Sequence, residues 1–119
     1  MARDAALVTR WGSSVRGREA KSLEVFMEFL GYWGKQAAEG RCSEPEAFFA
    51  ADGSGGMAIV RGRSDALMEI ATSDEALKLV EKGQFICEGL KTEWYFTGDE
   101  EVQRLTGMFV ETGQELGYM

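Results

Sequence analysis

Residues 42–62 constrain the fold of this chain more than any other stretch. An apolar run at residues 47–51 is followed by a glycine-rich segment at residues 52–56 and a second apolar run at residues 57–60. Two short apolar runs flanking a glycine-rich turn predict a β-hairpin. The pattern before this hairpin indicates a strand and then a helix. The pattern after it indicates a helical region, a strand and a final helix.

The first half of the chain contains one predicted strand and one long predicted helix. Residues 5–11 alternate in the manner of a strand, and residues 19–39 carry apolar side chains at helical spacing. Gly40 is placed to end that helix. We predict that the core stripe of the helix consists of Leu23, Phe26, Met27, Leu30, Gly34 and Ala37.

The second half begins with a helical region that the sequence divides in two. The Ser64 hydroxyl is placed to cap its first part, and residues 72–75 form a capping box, starting with Thr72, that restarts a helix ending near Gly83. Residues 85–96 predict the last strand region, and a helix follows it. The predicted inner stripe of this final helix is Val102, Leu105, Phe109 and Leu116.

This element order predicts an α+β fold of the ferredoxin-like type, βαββαβ, with an extra C-terminal helix. The expected sheet has four antiparallel strands with the first two helical regions on one face. A chain of 119 residues fits a single domain over residues 1–119.

Charge and cysteine content exclude several classes of function. The formal net charge of −7 repels phosphate backbones and anionic membranes, so we expect neither nucleic acid nor membrane as a partner. The N-terminal residues lack the apolar region of a signal peptide, and we expect a cytoplasmic protein. The sequence has no histidine and two isolated cysteines, Cys42 and Cys87, which predicts no metal site and no cofactor.

Both faces of the predicted strands are apolar. Met57 and Ile59 point one way and Ala58 the other, while Phe48 and Phe49 must point to opposite faces. A sheet covered by helices on one side only would then expose a large apolar patch, which usually marks an interface. We therefore predict a homodimer joined through the sheet face. The alternative is that the C-terminal helix covers that face within one chain.

Three pieces of the sequence carry a family resemblance: Trp11-Gly12 with Gly17-Arg18-Glu19, residues 56–62 (GMAIVRG) and residues 73–77 (SDEAL). They resemble the dimeric α/β-barrel superfamily of small ferredoxin-like proteins, including uncharacterised small bacterial members of the YCII-related group. The resemblance implies a homodimer in a superfamily of cofactor-free monooxygenases, muconolactone isomerases and haem proteins. A histidine is the usual catalytic residue of the YCII-related proteins and the proximal ligand of the haem proteins. Since this chain has no histidine, the resemblance argues against both activities and assigns no catalytic residue.

The first helix carries more aromatic side chains than one core stripe requires. We therefore predict a ligand pocket between this helix and the sheet, with Trp11, Phe26, Leu30 and Trp33 as walls and Arg18 as the anchor for an anionic group. Ordinary core packing is the alternative explanation. The first functional hypothesis is a dimer that binds a small organic ligand. The others are a cofactor-free enzyme of monooxygenase or isomerase type acting on a small aromatic molecule, and a structural or interaction subunit.

Overall fold

The computed structural model describes residues 2–119. The second helical region is divided into two helices, α2 and α3, at the point where the sequence carries its internal capping signal. Along the chain the elements are β1 (Asp4–Trp11), α1 (Glu19–Ala38), β2 (Glu46–Phe49), β3 (Gly56–Arg63), α2 (Ser64–Ala71), α3 (Asp74–Ile86), β4 (Lys91–Phe96) and α4 (Asp99–Glu115).

The four strands form one antiparallel sheet in the order β2-β3-β1-β4. Leu7 at the centre of β1 lies opposite Val60 of β3 and Trp94 of β4. This order and the position of the helices between the strands define the ferredoxin-like βαββαβ arrangement, with α4 added at its C-terminal end. The predicted fold class is confirmed.

The hydrophobic core lies between the sheet and the helices that cover it. Leu67 and Ile70 of α2 are fully buried against Leu7 and Val60 of the sheet and against Trp33 of α1. Burying one such aliphatic side chain contributes about 1.5–3 kcal/mol to folding. Since Leu7 faces the helices, alternation along β1 assigns the odd-numbered positions to the covered face of the sheet.

The predicted core stripe of α1 is wrong in part. Leu23 and Met27 are exposed, whereas Val25 and Trp33 are buried. The helix carries apolar side chains around most of its circumference, so helical spacing alone fits more than one face. The contacts that α1 makes with α3 and the sheet decide which face is buried. Gly40 follows the helix with a φ of 76°, as expected for a residue that ends it.

Both predicted helix caps differ from those observed. Helix α2 begins at Ser64 itself, and the Ser64 hydroxyl instead accepts a hydrogen bond from the Arg3 amide at 2.8 Å. Helix α3 is capped by Ser73 rather than Thr72, since the Ser73 hydroxyl accepts a hydrogen bond from the Ala76 amide at 3.2 Å. Ser73 has the extended backbone that an N-cap residue requires.

Replacing Ser73 by Ala should lower the free energy of unfolding by about 1–2 kcal/mol, because α3 loses its cap. The substitution also removes the hydrogen bond of 2.8 Å between the Ser73 and Tyr32 hydroxyls. Urea denaturation measures the effect. The control is Thr72→Ala, which removes an exposed hydroxyl that donates to the Met68 carbonyl at 2.7 Å and should cost at most about 0.5 kcal/mol. Equal losses in the two variants would contradict this assignment of the cap.

The last strand and last helix depart from the sequence prediction. Helix α3 continues to Ile86, and β4 begins only at Lys91, because the chain turns at Gly89 with a φ of 64°. The predicted inner stripe of α4 is not covered within the chain: Val102 and Phe109 are exposed. With α4 included, the protein measures 54 × 33 × 25 Å along its principal axes, so α4 lengthens the molecule. The helix therefore does not cover the second face of the sheet.

Candidate ligand-binding site

A cavity of about 410 Å³ lies between α1, α3 and the covered face of the sheet. Small side chains on α3 leave this space opposite the aromatic side chains of α1. Ala76 and Gly83, two helical turns apart, both line it. A Cβ atom at Gly83 would lie 2.9 Å from Leu90 Cδ2, so glycine lets Leu90 pack against α3 at this end of the cavity.

An aromatic cluster forms one side of the cavity. Trp11 of β1, Phe26 of α1 and Phe49 of β2 have ring centroids 5.5 to 6.3 Å apart in tilted or edge-on orientations, which aromatic pairs favour. Gly56 lies directly opposite Trp11 in the sheet, and a Cβ atom there would lie 2.9 Å from the indole ring. Phe49 remains exposed, so the cluster borders the solvent side of the cavity.

The polar groups of the cavity are mainly hydroxyls. Thr9 and Thr92 line it from the strands, and Ser14 and Ser22 line it near the start of α1. The Ser14 hydroxyl donates to the Ser22 hydroxyl at 2.9 Å. Each hydroxyl both donates and accepts hydrogen bonds, so these groups suit a ligand with hydroxyl or carbonyl oxygens.

Two ionisable side chains also line the cavity, Glu19 and Cys87. Glu19 is exposed, whereas Cys87 is buried and its thiol donates to the Gly83 carbonyl at 3.2 Å. Burial raises the pKa of the Cys87 thiol, so it stays protonated and weakly nucleophilic near neutral pH. Within residues 2–119, no lysine or arginine lines this cavity.

The structure brings together three of the five predicted pocket residues. Trp11, Phe26 and Trp33 line the cavity, whereas Leu30 and Arg18 do not. Arg18 Nη1 instead donates to the Phe85 carbonyl oxygen at 2.5 Å, which joins the start of α1 to the end of α3.

Sequence reasoning missed the α3 wall and Phe49. The spacing of seven residues places Ala76 and Gly83 on one side of a helix, with Leu79 and Val80 between them, and this side forms the α3 wall. Phe49 has no such signal, because its neighbour Phe48 is the same residue type. Only the register of the sheet assigns Phe49 to the cavity side, where it lies opposite Gly56.

The other side of the sheet is not covered by a helix, and we call it the open face. Phe48 and Met57 lie opposite each other there, beside the half-buried Ile59. Register and alternation assign to the open face Asp4, Ala6, Val8, Arg10, Glu46, Phe48, Met57, Ile59, Arg61, Arg63, Lys91, Glu93 and Tyr95.

A charged network lies among the apolar side chains of the open face. The Tyr95 hydroxyl donates to Glu93 Oε2 at 2.8 Å, and the Arg10 guanidinium donates to the other oxygen of Glu93. These two hydrogen bonds lower the pKa of the Glu93 carboxyl below its ordinary value. The hydrogen bond to Glu93 in turn raises the pKa of Arg10. The charges on this part of the face are therefore paired with each other, which suits a surface that becomes partly buried.

Residues 2–119 offer neither a cluster of metal ligands nor a helix suited to a membrane. No group of three histidine, cysteine, aspartate or glutamate side chains is arranged to hold a metal ion in this part of the chain. No helix of the same residues combines the length and the apolar character that crossing a membrane requires.

Comparison with known proteins identifies the class of fold. No protein-family model matches this chain, and no curated protein matches it. Among solved structures, the chain is similar to SnoaB, a cofactor-independent oxygenase from Streptomyces nogalater, with a TM-score of 0.64 and 13% identity over 82% of this chain and 95% of that one. It is also similar to the hydroxynitrile lyase of Passiflora edulis, with a TM-score of 0.61 and 12% identity over 82% of this chain and 95% of that one.

A third similar structure is a dimeric protein of unknown function with a ferredoxin-like fold from Bacteroides fragilis. The TM-score is 0.55 and the identity 12%, over 79% of this chain and 96% of that one. At such low identity the likeness concerns the fold alone, which is ferredoxin-like. Proteins of this fold carry out different functions, so the function of this chain has to be argued from its own residues.

Proposed function

We propose that this protein binds a small, largely apolar aromatic molecule in the cavity between α1, α3 and the sheet. The observation that carries the proposal is the cavity itself. Its volume of about 410 Å³ falls within the range of roughly 300–1,000 Å³ that is typical of small-molecule sites. Trp11, Phe26 and Phe49 offer aromatic faces and edges to a planar ligand.

The charges around the cavity favour a neutral ligand. Glu19 contributes the one carboxylate of the described lining, and the whole chain carries a net charge of −7. An anionic ligand would be repelled by both. The Arg18 guanidinium donates a hydrogen bond to the Phe85 carbonyl and does not line the cavity. We therefore propose that the hydroxyls of Ser14 and Ser22, rather than Arg18, bind the polar group of the ligand.

We further propose that the protein acts as a homodimer joined through the open face. Phe48 is 41% exposed on that face, next to Met57 and Ile59, and α4 does not cover these side chains within the chain. An apolar patch of this kind usually marks an interface. The Bacteroides fragilis protein of the same fold is described as dimeric, which supports the proposal.

Replacing Ala76 by Leu should abolish ligand binding without unfolding the protein. The added side chain fills cavity space, so it excludes a ligand and costs little packing energy. We expect the affinity for 2-naphthol, measured by quenching of tryptophan fluorescence, to fall by at least about tenfold. The control Ala66→Leu makes the same change on α2, outside the cavity lining, and should bind as the wild type does.

A second comparison tests the charge of the ligand. Wild-type protein should bind neutral 2-naphthol more tightly than anionic 2-naphthoate, which has the same ring system. Equal affinities would contradict the proposed preference for a neutral ligand. Failure of 2-naphthol and of a panel of other neutral bicyclic aromatics to bind saturably would contradict the proposed ligand site.

A cofactor-free enzyme of monooxygenase or isomerase type acting on a small aromatic molecule is the alternative function. A cofactor-independent oxygenase and a hydroxynitrile lyase share the fold, which supports this alternative. Conversion of a bound aromatic, followed by chromatography, distinguishes it from simple binding. A structural or interaction subunit is the third hypothesis, and it requires that the cavity bind nothing. A closer relation to the YCII-related group remains a proposal that rests on the sequence pieces around Trp11, Gly56 and Ser73.

A further inference from the structure

Helix α4 carries an apolar stripe that residues 2–119 leave largely uncovered, with only Leu105 half-buried. Val102, Leu105, Phe109 and Leu116 follow one another at spacings of three, four and seven residues, which places them on one side of the helix. Phe109 and Leu116 are each 67% exposed. A helix of 17 residues is only marginally stable by itself in water, and it normally gains stability by packing its apolar side. We therefore expect the apolar stripe of α4 to pack against another protein surface.

Both ends of α4 are defined by hydrogen bonds, and an ion pair joins its start to the N-terminal residues. At its start Glu101 is buried and accepts hydrogen bonds from Arg104, and its carboxylate lies 3.8 Å from Arg3 Nε. At its end the Tyr118 amide donates to the Gly113 carbonyl at 2.9 Å. This backbone hydrogen bond ends the helix in a closed turn.

The start of α4 lies at the margin of the open face. A Cβ atom at Gly98, the residue before the helix, would lie 3.3 Å from Asp4 Oδ2. Asp4 in turn pairs with Arg63 at 2.7 Å, and both side chains belong to the open face by register. A second chain placed on the open face would therefore reach the base of α4.

The area of the open face is small for a stable dimer. Its four strands contain between 4 and 8 residues each, which gives roughly 400 Å² at about 4.8 Å between strands and about 3.4 Å per residue. A stable interface buries about 800 Å² on each partner. One side of α4, 17 residues long, adds roughly 250 Å². The sheet and α4 together approach the required area, whereas the sheet alone does not.

Charge also favours a second chain over other partners. Helix α4 has five acidic residues and one arginine, so an anionic lipid surface would repel it. The open face carries Arg10, Arg61 and Arg63, each of which pairs with a carboxylate of the same face and remains about half exposed. The acidic flanks of α4 and the arginines of a facing sheet are complementary in charge.

We propose that the apolar stripe of α4 packs against a second copy of this chain and extends the dimer formed by the open faces. In a twofold symmetric dimer each subunit contributes its own α4 and receives that of its partner. This inference rests on the dimer put forward under the proposed function, and its test separates the contribution of α4 from that of the sheet.

The first test compares two charge substitutions in α4 by sedimentation equilibrium. Phe109→Glu should raise the dimer dissociation constant by at least about tenfold, because it places a charge within the stripe. Gln103→Glu adds the same charge on the other side of the helix and should change the constant by less than about twofold. Since Phe109 is exposed within the chain, its substitution should leave the folding of the subunit intact. Equal dissociation constants for the wild type and Phe109→Glu would overturn the proposal.

A second test shows directly which chain α4 contacts. The photoreactive residue p-benzoylphenylalanine is introduced at position 109, and chains labelled with nitrogen-15 are mixed with unlabelled chains before irradiation. Cross-linked peptides that join the two isotopes are expected. Cross-links confined to one chain would overturn the proposal, as would stripe-dependent binding to vesicles of phosphatidylcholine and phosphatidylserine without dimer formation.

The outcomes of these tests also distinguish the interface formed by the sheet from the contact made by α4. A wild-type monomer at micromolar concentration would overturn both the sheet dimer and the role of α4. A dimer that a charge at Phe48 weakens and a charge at Phe109 does not would retain the sheet interface and overturn the α4 contact alone. Weakening by both substitutions, with the Gln103 control unchanged, is the expected result.

Discussion

Replacing Phe48 by Glu is expected to dissociate the dimer. Phe48 lies opposite Met57 on β2, and its side chain points to the open face. Substitution of an aromatic residue that an interface buries commonly costs about 2–4 kcal/mol, and a buried unpaired carboxylate adds to that cost. We therefore expect the dissociation constant to rise by at least about 100-fold. This exceeds the effect expected for Phe109→Glu, because α4 extends the interface from its margin.

Sedimentation equilibrium of the wild type and the variant measures this change. The matched control is Phe85→Glu, which introduces the same charge at an exposed phenylalanine on α3, on the opposite side of the sheet. The control should remain a dimer. A Phe48→Glu variant that dimerises as tightly as the wild type would show that the open face is not the interface.

Sequence patterns alone could not show which of Phe48 and Phe49 points to the open face. Alternation along a strand requires that Phe48 and Phe49 point to opposite faces, but it does not say which face is covered. The register of β2 against β3 decides this, since Phe49 lies opposite Gly56 on the side of Trp11. The pairing of Gly56 with Trp11, which identifies the covered side, joins residues 45 positions apart and cannot be obtained from local patterns.

The order of the elements could be predicted because each has a local signal. The glycine-rich segment indicated the hairpin, and the spacing of Val102, Leu105 and Phe109 indicated α4. Helical spacing shows that a helix has an apolar side, but it does not identify what covers that side. For α4 the sequence predicted a contact within the chain, and the structure leaves the stripe exposed. The unexpected exposure is what points to a second chain.

The candidate cavity was predicted in position and only partly in its residues. The excess of aromatic side chains on α1 pointed to this space, and Trp11, Phe26 and Trp33 of the five predicted residues line it. Arg18 was expected to face the same space because it lies at the start of α1. Its guanidinium instead reaches the Phe85 carbonyl at the end of α3, a contact between residues 67 positions apart. Local sequence patterns do not indicate a hydrogen bond between residues so far apart in the chain.

Replacing Trp33 by Ala should lower the free energy of unfolding by about 3–5 kcal/mol, as truncation of a packed core aromatic does. Trp33 is only 3% exposed and packs in the core with Leu7 and Ile70. Its ring also lies 5.8 Å from that of Tyr32 and 6.5 Å from that of Phe29. If Trp33 served mainly as the pocket wall that the sequence predicted, Trp33→Ala would weaken ligand binding more than folding. The buried position predicts instead that loss of stability is the larger effect.

Urea denaturation of Trp33→Ala, compared with Trp94→Ala, tests this expectation. Trp94 is 39% exposed on β4, so the same substitution there should cost less than half as much. Binding of 2-naphthol, measured under conditions where both variants are folded, shows whether Trp33 also contributes to the cavity wall that it lines. A loss of less than about 1 kcal/mol in Trp33→Ala, together with lost binding, would mean that Trp33 serves the ligand rather than the core. Because a cavity left by a deleted indole costs stability in proportion to its volume, the burial of Trp33 makes the larger loss the expected result.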